Sequence, residues 1–115
     1  MRTVLGRAGW VVLLVTNTLM LLNHLIGIAF VAASTDERQM FVAYAAVNAL
    51  AVLVLLFPYR ARLRWAWWAS WIPVLAIGAV FFIGGLTAIG WAYGLTAVVM
   101  TLAQLATLRD FFRAT

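Results

Sequence analysis

Four apolar stretches, each long enough to cross a lipid bilayer, fill nearly all of this chain, and its arginines fall almost entirely in the gaps between them. A hydrocarbon layer roughly 30 Å thick needs about 20 apolar residues rising about 1.5 Å each. Runs of that size lie at roughly residues 9–33, 40–57, 65–83 and 86–108. With 67% hydrophobic and 10% charged residues, the chain has too little polar surface to clothe a soluble domain. An unpaired backbone group in hydrocarbon costs several kcal/mol, so each run must bond its own backbone and is expected to be helical. The expected fold class is all-α, a polytopic membrane protein in which residues 1–115 form one up-down-up-down bundle of four transmembrane helices.

Each run has a recognisable stop. Ser34-Thr35-Asp36-Glu37-Arg38 reads as a charged turn, Pro58 followed by Arg60, Arg62 and Arg64 ends the second run, Gly84-Gly85 ends the third, and Arg109-Asp110 ends the fourth. Pro73 removes the N–H that would bond the Ala69 carbonyl, so a bend is expected in the third helix. Arg2 and Arg7 ahead of an apolar run ending in Val31-Ala32-Ala33 imitate a secretion signal. The run is about 22 residues, however, against about 7 to 15 for a signal peptide, and Asn23 and His24 interrupt it, so a retained helix is expected.

The arginines set the expected orientation. Arg2 and Arg7 precede the first helix, Arg60, Arg62 and Arg64 fill the second turn, and Arg109 and Arg113 follow the fourth helix. With an even number of spans these regions share one side, which the positive-inside rule makes the cytoplasm. The other side holds only Arg38, beside Asp36 and Glu37. The expected location is therefore a bacterial inner membrane with both termini cytoplasmic. The net charge of +5 is then a topology signal, and no nucleic acid is expected as a partner.

Trp65, Trp67, Trp68 and Trp71 crowd the start of the third helix beside the arginine turn, with Trp10 at the same level on the first; this pattern predicts an interfacial aromatic belt. The stretch from Pro58-Tyr59-Arg60 into Arg64-Trp65-Ala66-Trp67-Trp68 resembles small four-helix bacterial inner-membrane proteins, including DoxX-like ones. That resemblance implies the bundle and its location and carries over no functional residue.

Any chemistry must come from polar groups within the spans. Asn17 and His24, seven residues apart, share a face of the first helix, and Thr16 and Asn23 form a second such pair about 100° round. Tyr44 and Asn48 stand at i and i+4 on the second helix, while Tyr93, Thr96, Met100, Gln104 and Thr107 follow one face of the fourth. Counted along the helices, His24, Tyr44 and Tyr93 fall about 5 Å to the outer side of the midplane, Asn48 and Thr96 near it, and Asn17 and Gln104 deeper towards the cytoplasm. Asn17, Asn23, His24, Tyr44, Asn48, Tyr93, Thr96 and Gln104 are thus expected to form one polar seam, structural or ligand-binding.

The same inventory argues against several activities. No carboxylate lies within a span, which removes both paired acids and the embedded glutamate on which small multidrug exporters depend. Zero cysteines leave no thiol, disulfide or iron-sulfur chemistry. His24 lacks a second ligand, since Met20 shares its face, so no haem, metal or other cofactor is expected. Gly90 and Gly94 form a GxxxG, and Ala45 and Ala49 a second small-residue pair, either of which permits close helix approach. The expected function is a non-catalytic accessory or interaction subunit, with the lipid bilayer and a membrane-protein partner or a second copy as its surroundings. The alternative is a binder or passive transporter of a small or lipid-like ligand using the seam.

Overall fold

The computed structural model describes residues 1–113; Ala114 and Thr115, the end of the expected 1–115 domain, lie outside the described residues. Four helices are long and apolar enough to cross a membrane: α1 (Val4–Val31), α2 (Thr35–Tyr59), α3 (Arg64–Gly84) and α4 (Ala88–Phe112). All are interrupted or distorted. The last turns of α1 and α2 widen to π geometry at Gly27–Val31 and Leu55–Tyr59, and α3 and α4 break at Ser70 and Thr107. Ser70 lies three residues before Pro73, and the helix is interrupted at that one residue, which itself keeps αR backbone angles, in the region where the bend was expected.

Hydroxyl caps start three of the helices. The side chains of Thr3, Ser34 and Thr87 accept from the backbone N–H groups of Gly6, Glu37 and Gly90, a contribution of about 1 kcal/mol each. The Asp110 carboxylate accepts from the Thr3 N–H at 3.1 Å and the Thr3 hydroxyl at 3.0 Å, which ties the end of α4 to the start of α1. A negative charge at a helix N-terminus also complements the helix dipole.

The expected turn over Ser34–Arg38 is shorter than the sequence suggested. Asp36 and Glu37 occupy the first turn of α2, where acids favour a helix N-terminus. The Glu37 carboxylate also accepts from the Ala33 N–H at 2.7 Å, closing the corner. At the opposite end of α2, the Leu63 N–H donates to the Pro58 carbonyl at 3.0 Å and the Arg62 N–H to that of Tyr59 at 2.8 Å. This is a Schellman closure, with Arg62 at φ +59° in the position usually held by glycine.

The central helices are α1 and α4: α1 packs on both α2 and α4, α3 packs on α4, and α2 meets α3 mainly at the arginine end. The core runs from Leu13 and Met100 to Tyr59, Trp67 and Phe111, while Phe30, Phe82, Ile83 and Leu86 stand almost fully exposed. The GxxxG glycines face inward. A side chain at Gly94 would meet the Phe81 ring of α3, and one at Gly90 would strike the Gly85 carbonyl.

Candidate functional site

Two separate polar networks occupy the interior. The first joins α1, α2 and α4 around His24, whose side chain is fully buried. Its Nδ1 lies 2.9 Å from Asn48 Oδ1 and its Nε2 lies 2.9 Å from the Tyr93 hydroxyl. The Asn48 amide donates to Asn17 Oδ1 at 3.2 Å, and the Asn17 amide to the Leu13 carbonyl at 2.9 Å. At the far end, the Asn23 amide donates to the Tyr93 hydroxyl at 3.1 Å.

The final acceptor sets the direction of the whole chain. A backbone carbonyl only accepts, so Asn17 must turn its NH₂ to Leu13 and its oxygen to Asn48. Asn48 therefore offers its NH₂ to Asn17 and its oxygen to His24, which makes Nδ1 the protonated ring nitrogen. Nε2 is left as an acceptor for the Tyr93 O–H, and the Tyr93 oxygen accepts from Asn23. Every dipole points the same way, and one tautomer of His24 completes the chain. Both ring nitrogens are engaged, so neither presents a free lone pair to a metal.

The second network lies near the arginine end, where α3 and α4 are broken. Gln104 Nε2 donates to the Trp67 carbonyl and to Ser70 Oγ, both at 2.7 Å. In return the Trp67 indole N–H donates to the Gln104 carbonyl at 3.3 Å and to Thr107 Oγ1 at 3.1 Å. Tyr59 joins from α2, with its hydroxyl 2.6 Å from Thr107 Oγ1 and donating to Gln104 Oε1 at 3.3 Å. An interruption in a helix surrounded by apolar groups leaves carbonyls in need of donors, and here each helix supplies them to the other, in addition to the hydroxyls of Ser70 and Thr107, which donate to the Trp67 and Gln104 carbonyls of their own helices. Trp10 adds a similar contact, its indole N–H donating to the Leu55 carbonyl in the π turn of α2 at 2.8 Å. Among the described residues no buried side-chain nitrogen or oxygen lacks a partner.

The single expected seam is therefore two networks. Asn17, His24, Asn48, Tyr93 and Asn23 come together, with Asn23 on the exposed flank. Tyr44 approaches by its ring, stacked on His24 at 5.2 Å between centroids. Gln104 belongs to the other network, and Thr96 to neither, because its hydroxyl donates to the Ala92 carbonyl of its own helix at 2.8 Å.

Trp67 departs from the expected belt. Trp65 and Trp68 are 56% and 63% exposed, whereas Trp67 is buried at 4% because its face of α3 meets α4. Tyr59, Trp67 and Ser70 were not expected in a polar site. The signal in the sequence was Pro73, since a helix breaker within an apolar run calls for donors nearby.

Among the described residues neither His24 nor Gln104 lines a cavity, though the smaller of two cavities reaches Ser70, a partner of Gln104. An apolar groove of about 380 Å³ between α3 and α4 is lined by Gly78, Phe81, Trp91, Gly94 and Ala97 among others. A smaller cleft of about 90 Å³ between α2 and α3 passes Val47, Ala51, Ser70 and Pro73. Comparison with known proteins finds no matching family model, no matching curated protein and no matching solved structure.

Proposed function

We propose that this chain is an integral membrane protein of the bacterial inner membrane, with both termini cytoplasmic, that acts without catalysis as an accessory or interaction subunit of a larger membrane assembly. One observation carries the reading: the buried polar groups are already paired with one another. His24 in particular has both nitrogens occupied and no described cavity against it. A protein whose polar interior is closed presents its lateral apolar surface and its arginine-bearing end to other molecules, which suits a subunit that binds neighbours. The alternative, a small or lipid-like ligand held in the seam, has less support because such a ligand would first have to displace hydrogen bonds among His24, Asn48 and Tyr93.

Purification in a mild detergent followed by mass spectrometry of co-purifying chains tests the reading. Stoichiometric recovery of a membrane-protein partner supports it; recovery of the chain alone, with a bound small molecule lost on His24→Leu, overturns it. Orientation is tested separately by reporters fused at Thr115 and within the Asp36 turn. They should report opposite sides, and a C-terminus on the outside would refute the cytoplasmic assignment.

A further inference from the structure

We propose that the turn between α2 and α3 is a recognition site for the phosphate of an anionic phospholipid headgroup, with Arg60, Arg62 and Arg64 as its ligands. The proposal rests on the membrane reading above and adds a specific ligand to it.

Charge is the first consideration. The end of the bundle formed by the start of α1, this turn and the end of α4 carries seven of the eight arginines, and Asp110 is its only acidic residue. Both carboxylate oxygens of Asp110 are engaged by Thr3, one at 3.1 Å and the other at 3.0 Å. The positive charge of the turn therefore has no carboxylate of its own to answer it.

Backbone conformation is the second and is independent of charge. Arg62 holds φ +59° at the Schellman position that closes α2. Glycine closes this turn without strain, and a residue with a β-carbon does not. An arginine standing where glycine fits better points to a use for its side chain.

Each neighbouring guanidinium lies near an aromatic ring of another helix. Arg60 lies over the Trp10 ring of α1 at 5.9 Å, and Arg64 over the Phe112 ring of α4 at 5.7 Å. A guanidinium resting on a ring keeps its in-plane N–H donors for an oxyanion, and paired N–H donors match phosphate geometry. Two helices thus offer ring contacts to the arginines on either side of Arg62 in the sequence.

The surroundings decide which phosphate compound fits. Phe57, Leu63, Trp65 and Trp68, immediately beside the arginines, are 66%, 46%, 56% and 63% exposed. A ligand seated here presents its phosphate and an apolar body within a few ångströms of each other, as a phospholipid does and a free phosphate ion does not. Exposed tryptophans at such a boundary also favour the headgroup level of a bilayer.

The test reconstitutes the full chain in vesicles of mixed phosphatidylcholine and phosphatidylglycerol, extracts it in mild detergent and measures the retained lipids by mass spectrometry. Phosphatidylglycerol should be enriched over its bulk ratio, and each of Arg60→Gln, Arg62→Gln and Arg64→Gln should reduce that enrichment about fivefold. The pair Arg2→Gln and Arg109→Gln, which removes charge from the same end outside the turn, should leave most of it. Arg62→Gly is the sharpest variant, because it should raise the unfolding midpoint in detergent while losing enrichment. Equal retention of the two lipids by the wild-type chain overturns the proposal, as does equal loss from the Arg2 and Arg109 pair. So does a midpoint shift by inorganic phosphate as large as that by phosphatidylglycerol, which would assign the turn to a free anion. Failure of the chain to insert into vesicles would instead refute the membrane reading, a result the lipid ratio does not imitate.

Discussion

The His24 network and the Gln104 network have much in common: both are buried, both join three helices, and both are fully paired. They differ in what they hold. Around His24 the partners are mostly side chains on intact stretches of helix, and only Asn17 ends on a carbonyl, that of Leu13. Around Gln104 the acceptors include the Trp67 and Gln104 carbonyls, at the breaks of α3 and α4. The first network fastens helices that would form without it. The second reinforces helices at one-residue interruptions, adding cross-helix donors to carbonyls that Ser70 and Thr107 of the same helices also serve. Polar groups of equal burial therefore need not have equal consequences when removed.

The largest effect is expected from Gln104→Leu, which would remove three side-chain hydrogen bonds at once, those to the Trp67 carbonyl, Ser70 Oγ and the Tyr59 hydroxyl, although Ser70 still serves the Trp67 carbonyl and Thr107 still pairs with Tyr59. Each lost hydrogen bond contributes about 1 kcal/mol, so a loss of about 3 kcal/mol is expected. Steric trapping or denaturant titration in bicelles measures it. A loss below that of any His24-network substitution would reverse the ranking of the two networks.

Asn48→Leu should come next, at about 2 kcal/mol, because it breaks the chain at its centre, stranding the His24 Nδ1–H and Asn17 Oδ1. Combining it with His24→Leu discriminates further. Partners in one chain should couple, so the double variant should lose less than the sum of the singles. Strict additivity would mean that the two side chains act independently, and the chain would not be a unit.

The two networks were unequally legible in the sequence. Asn17 and His24 reveal their shared face by a separation of two helical turns, and Asn48 and Tyr93 follow from matched depth on neighbouring helices. Thr96 lies on the same face of α4 and misled, since a threonine hydroxyl within a helix can return to the carbonyl four residues earlier and need no neighbour. Gln104 was visible as a polar residue, but not its duties. They depend on a break in α3, and the sequence marks that break only through Pro73. Trp67 was hidden for another reason: where nearly every face of a helix is apolar, periodicity cannot say which of four tryptophans turns inward.

Trp67→Phe compared with Trp68→Phe tests that last distinction. A Phe at 67 keeps most of the apolar contact but removes the indole N–H that serves the Gln104 carbonyl and Thr107, for an expected loss of about 1 kcal/mol. Trp68, exposed beside it, should show almost no change in stability. Equal losses at the two positions would return Trp67 to the belt.

Among substitutions that remove a network bond, the smallest change in stability, and the most direct reading of direction, should come from Tyr93→Phe. The substitution removes two bonds, one donated to His24 Nε2 and one accepted from Asn23; Asn23 is exposed and can find another partner, so the net loss expected is that of one bond between membrane helices, about 0.6 kcal/mol. Its value lies in the histidine tautomer. With Asn48 still offering an oxygen, the proton should remain on Nδ1, and nitrogen NMR of labelled His24 should show a protonated Nδ1 and a bare Nε2 in both the wild-type chain and the variant. A proton on Nε2 in the wild type would mean that Asn48 presents its NH₂ to the ring. Asn17 would then have to turn its own oxygen towards the Leu13 carbonyl, two acceptors would face each other, and the chain of aligned bonds would be broken at its anchor.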